Sequence, residues 1–88
     1  MAGTHAVTPD ELARLGGTLK AQIDVVNGII TSVDNPLGSI AWTGPAKEKF
    51  AEEWNGNFKS ALARLTEAFQ MAGTDCEQRA EGARIALG

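Results

Sequence analysis

Tyrosine is absent from this 88-residue chain, and aromatic side chains make up only 6% of it. Sheets draw heavily on aromatic and β-branched residues, so this scarcity argues against a β fold. Cysteine occurs once, at Cys76, which excludes an intrachain disulfide and a zinc site built on cysteines. Its expected role is that of a small apolar side chain on a helix face. Histidine also occurs once, at His5, with no companion at ligand spacing. The single Cys and His lie far apart, so no Ser-His-Asp or Cys-His arrangement forms; catalytic residues, metal and cofactor are all expected to be none. Long apolar runs are missing too. The longest patch, Val25-Val26-Asn27-Gly28-Ile29-Ile30, is far too short to span a bilayer. Positive charge is sparse, and the formal net charge is −3. Lys47, Lys49, Lys59 and Arg64 alternate with Glu48, Glu52, Glu53 and Glu67, which leaves no basic stripe for nucleic acid. Met1-Ala2-Gly3-Thr4-His5 lacks the basic start and apolar run of a secretory signal peptide. On these features alone the expectation is a soluble, cytoplasmic protein with no membrane insertion.

What is present is helical pattern. The chain is long enough for one small domain, spanning 1–88, and its apolar fraction of 43% is that of a folded protein. Thr8-Pro9-Asp10-Glu11 is a helix start: Thr8 can cap, Pro9 suits the first helical position, and Glu11 completes a capping box. Leu12, Leu15, Leu19, Ile23, Val26, Ile30 and Val33 then recur every three or four residues and define one buried face. Gly16, Gly17 and Gly28 weaken this helix and leave room for a close neighbour. Asp34-Asn35-Pro36 predicts its end, because the residue before proline avoids the helical region. Helix 1 is therefore expected over about 9–34, and the connector and turn over about 35–44. The second stripe runs Ala46, Phe50, Trp54, Ala61, Leu65, Ala72, Cys76 and Ala83, with Phe58, Leu62, Phe69 and Ala80 alongside. Its phase holds through Asn55-Gly56-Asn57, which predicts one helix over about 45–86, bent near Gly56 or Gly73.

The predicted fold class is all-α, an antiparallel helix–turn–helix hairpin folded at Trp42-Thr43-Gly44. Trp42 is expected to pack its indole over the hinge, so that Trp42→Ala would cost roughly 3 kcal/mol. Gly44 is expected to allow close approach or a conformation that a Cβ disfavours. Trp54 is expected in the core. With about 26 residues in helix 1 and about 42 in helix 2, the hairpin should be lopsided, its tail from near Met71 lacking an intrachain neighbour. Two helices alone expose part of each apolar stripe. Val25 and Ile29 widen the face of helix 1, and Phe58, Leu62 and Phe69 flank the stripe of helix 2. These five are the expected dimer or partner interface, through which two hairpins would pair into a four-helix bundle.

Total length, a capped first helix, Trp42-Thr43-Gly44 at mid-chain and the Ala46/Phe50/Trp54 series after it together resemble the WXG100 family. Its members are small helical hairpins exported by type VII secretion systems, and the likeness covers essentially the whole chain. The resemblance implies a homodimer or a heterodimer with another WXG100-like protein, with the secretion ATPase as a further contact. It also implies secretion without a cleaved signal peptide, by the type VII (ESX-like) route, from a cytoplasmic precursor. The family's export signal is a tyrosine followed four residues later by Asp or Glu, near the end of helix 2. Here Gly82-Ala83-Arg84-Ile85-Ala86 offers neither. That departure suits a chain exported with a signal-bearing partner, and leaves open a divergent signal or no export. The alternative is an intracellular helical adaptor or chaperone that binds a client helix.

Overall fold

The computed structural model describes residues 7–87, and among them every regular element is helical. In chain order these are α1 (Pro9–Ser39), α2 (Pro45–Glu53), a π turn (Trp54–Phe58) and α3 (Lys59–Leu87). From Pro45 onward the backbone stays helical without a break, so two helical rods form an antiparallel hairpin.

The start of α1 is built as its residues dictate. The Glu11 amide donates to Thr8 Oγ1 at 3.1 Å, and the Thr8 amide donates to Glu11 Oε1 at 3.2 Å. This reciprocal pair satisfies two of the amides that a helix N-terminus leaves without partners. The end of α1 departs from expectation. The helix does not stop before Pro36 but carries on through it to Ser39. Proline removes one amide donor and crowds the preceding turn. Only one more turn follows, however, and it is tied by the Ile40 amide to the Pro36 carbonyl and by Ser39 Oγ to the Asn35 carbonyl. Leu37, half-buried within that turn, lines shared grooves with Phe50 on one side and Ala51 on the other. Tertiary packing thus outweighs the local preference.

Three ion pairs mark the level at which the rods lie side by side. Asp34 meets Lys59, Lys20 meets Glu77, and Asp10 meets Arg84. The stretch from Met71 onward is therefore covered by α1, contrary to expectation, and Ala80 is 1% exposed. The reason lies in the register. With α1 31 residues long, Asp34 lies level with Trp54 and the last turn of α1 lies beside Phe50 and Ala51. α2 therefore reaches roughly 9 Å farther at about 1.5 Å per residue. The overhang sits at the connector end, not at the tail. Residues 40–44 cross it outside any helix, leaving α1 through extended backbone at Ile40, with φ −80° and ψ 142°. The connector is a strap that runs along α2, not a compact turn.

The strap ends at Gly44, whose φ of 120° is the only positive value among the described residues. A side chain there would be strained. A Cβ would meet nothing within 4 Å, so the glycine serves conformation and not close approach. Pro45 then opens α2, and the Glu48 amide bonds the Gly44 carbonyl at 3.1 Å.

At the other end the rods nearly touch. A Cβ on Gly16 would lie 2.9 Å from the Gly73 carbonyl oxygen, and one on Gly73 would lie 3.1 Å from the Gly16 carbonyl oxygen. Gly17 and Gly28 face open space. Between the two ends the core is thin, with Val26 and Trp54 its larger buried apolar side chains. The long axis of the molecule is 62 Å and its radius of gyration 19.4 Å. A compact chain of this length would have a radius of gyration of about 12 Å.

Candidate functional site

The π turn decides what the second rod presents. A π turn takes in about one residue more than an α turn, so the phase beyond it shifts by roughly a quarter turn relative to an unbroken α-helix. Reading the sequence stripe straight through Gly56 places Ala61, Leu65 and Ala72 toward helix 1. In the structure Leu62, Phe69, Gly73 and Ala80 point there instead, each buried or half-buried, and of the expected stripe Cys76 and Ala83 stay half-buried. Phe58, Ala61, Leu65, Ala68 and Ala72 are swung onto an exposed flank.

α1 carries a matching flank. Leu12, Leu19, Ile23, Val26 and Ile30 face α3, whereas Val25 and Ile29 stand a quarter turn or more away, Leu15 lies at the edge of the stripe, and all three are exposed. On each rod the flank lies on the same rotational side of the core-facing line. In antiparallel helices that places both flanks on one broad face of the hairpin. Val25 is 55% exposed there and Leu65 42%. The opposite broad face is polar, with Lys20, Asn27, Thr31, Gln70, Glu77 and Glu81, and it carries the Lys20–Glu77 pair.

Toward the connector the apolar face deepens into a groove of about 240 Å³. Val33, Pro36 and Leu37 form its floor on α1, Ile40 and Trp42 come from the strap, and Phe50 comes from α2. Trp42 is 41% exposed. It lines this groove beside Phe50 and Pro36 and, exposed to this extent, does not clamp a hinge. Trp54 takes the buried place, at 6% exposed. Its indole stacks on Phe50 with ring centroids 6.3 Å apart.

Trp54 Nε1–H donates to Asp34 Oδ1 at 2.8 Å. Lys59 Nζ–H donates to the same carboxylate, at 3.0 Å to Oδ2 and 3.3 Å to Oδ1. The Trp54 hydrogen bond, followed by that from Lys59, holds the Asp34 carboxyl below the ordinary aspartate value. The indole's one donor is thereby satisfied on burial.

Of the five expected interface residues, Val25, Ile29 and Phe58 stand exposed on the apolar face, while Leu62 and Phe69 turn toward α1 and are half-buried. Leu15, Trp42, Phe50 and Leu65 belong to the exposed face and were expected elsewhere, and Ile40 joins them. Leu15 could have been found from its position at the edge of the α1 stripe; Leu65 could not, because its exposure follows from the π turn. Among the described residues no three His, Cys, Asp or Glu side chains gather into a metal-holding group, and no helix is long and apolar enough to cross a membrane. No protein-family model, curated protein or solved structure matches this chain.

Proposed function

We propose that this protein works by binding another protein, with no catalytic chemistry of its own, and that it pairs through the apolar face into a four-helix bundle. One observation carries the reading: apolar side chains of both rods and of the strap share a single exposed face, while the opposite face is polar. The molecule's surface of 6244 Å² exceeds the roughly 5,000 Å² of a compact monomer of this mass. Elongation accounts for part of the surplus. A stable dimer buries about 800 Å² on each partner. An exposed apolar face that gathers side chains from several elements marks an interaction site. Light scattering at micromolar concentration should find a dimer, or a heterodimer when the partner is co-expressed. A compact monomer under both conditions contradicts the reading.

The pairing partner we propose is a second hairpin of the WXG100 kind, and the role that of a secreted substrate or co-secreted partner of a type VII secretion system. The capped first helix and Trp42-Thr43-Gly44 between two long helices support it. Because the chain lacks the Tyr-x-x-x-Asp/Glu signal, it favours a heterodimer whose partner carries that signal. Comparison of cells and culture supernatant, with and without the secretion ATPase, tests export. Protein in the supernatant that disappears in the ATPase mutant supports it. Strictly cytosolic protein in both strains sinks it and favours the second reading, an intracellular adaptor that covers the same face with a client helix.

A further inference from the structure

We propose that Asp34 is a positioning residue that holds the second rod in its π form at Trp54–Phe58, and thereby aims α2 at the apolar groove. Trp54 and Lys59 are five residues apart. In an α-helix that spacing separates two side chains by roughly 140° around the axis. A π turn closes its ring from residue i to i+5 and stacks them on one side. The Lys59 amide bonds the Trp54 carbonyl across this turn, and both side chains reach the one Asp34 carboxylate. The carboxylate therefore bridges the first residue of the bulge and the residue that closes it, and the α form loses that double attachment. Asn55 and Asn57 add only local bonds, to the Ala51 carbonyl and to Glu53.

The two halves of the second rod are held unequally. α3 is fixed to α1 by the Gly16–Gly73 approach and by the Lys20–Glu77 and Arg84–Asp10 pairs. α2 meets only the last turn of α1, around Leu37, and otherwise depends on Trp54 and the strap. Reversion of the π turn to α rotates α2 and not α3, by roughly a quarter turn, and carries Phe50 away from Trp42 and Pro36. Asp34 thus regulates the shape of the groove from the far side of α1. The consequence for pairing rests on the apolar face being the binding surface proposed above.

Through-hydrogen-bond scalar couplings in the full chain report which carbonyl accepts the Lys59 amide. In the unaltered protein it is Trp54. In Asp34→Ala the coupling is expected to disappear from Trp54 and emerge at Asn55, with amide shifts around Gly16 and Gly73 unchanged. A folded Asp34→Ala chain that keeps the Trp54 coupling overturns the proposal, because the bulge would then be intrinsic to Asn55-Gly56-Asn57. If Asp34→Ala does not fold, Lys59→Met keeps the Trp54–Asp34 bond and is measured in its place. A weakened Trp54 coupling supports the proposal and an undiminished one overturns it. A coupling that moves in a variant whose self-association is unchanged upholds the positioning role and counts against the pairing reading.

Discussion

The two tryptophans occupy opposite physical situations twelve positions apart in the chain. Trp42 sits on the strap, 41% exposed, and its indole forms one wall of an open groove. Trp54 sits at the first position of the π turn, 6% exposed, with its ring on Phe50 and its N–H on Asp34. The residue in the recognisable W-x-G motif is therefore the accessible one, and the residue outside the motif holds the hairpin shut. A buried indole stabilises through area and a satisfied donor. An indole exposed on an apolar face is available to a partner.

This contrast can be broken from either side. The largest expected effect is that of Trp54→Ala, which should lower the unfolding free energy by about 3 kcal/mol, in the range for deleting a buried aromatic. Denaturant melts at a concentration where the chain is monomeric would measure it, and a loss below about 1 kcal/mol would erase the distinction between the two sites. Next comes Gly44→Ala, at the base of the strap. With φ at 120°, a Cβ should cost about 1–2 kcal/mol and loosen the strap that presents Trp42. An unchanged melt would mean that the strap relaxes freely.

Acid should sharpen the picture at Trp54. The folded Asp34 carboxyl titrates below its unfolded value, so its contribution to stability is fully present above the unfolded pKa. That contribution is lost as pH falls through the lowered folded pKa. Asp34→Asn should therefore flatten the stability-against-pH curve on the acid side, while Trp42→Ala leaves the slope intact. Urea midpoints measured from pH 7 to pH 3 for the three proteins test this. The smallest stability change is expected for Trp42→Ala itself, under about 1 kcal/mol in the monomer, as for partly exposed side chains. Its effect should appear in association, as a several-fold weaker dimer in sedimentation or light scattering. A loss of about 3 kcal/mol in the monomer would restore the hinge-clamp role.

Much of the fold was legible locally. The Thr8–Glu11 capping box, the apolar period of α1 and the glycine before Pro45 each act within a few residues, so their outcome follows from nearest neighbours. The glycine stripe was legible in part, since Gly16 could be named as a site of close approach but not told apart from Gly17 and Gly28. That choice belongs to the partner rod, where Gly73 faces Gly16 and no residue comes within 4 Å of a Cβ on the other two. Pro36 misled for the same reason. Its local cost is real, yet Leu37, packed between α1 and the second rod, stabilises one more turn.

By itself the sequence determined two helical rods, their polarity, the cap that starts the first and the glycine that lets the chain re-enter helix. Only the tertiary structure decided which tryptophan is buried and which face is left open. The cause is one carboxylate on α1, Asp34, that reaches two side chains of the second rod five residues apart. Helical periodicity assumes a constant 100° step, and a contact between elements distant in sequence alters that step at Trp54–Phe58. Beyond the π turn the phase is rotated accordingly, and Ala61, Leu65 and Ala72 move from the expected core to the exposed face.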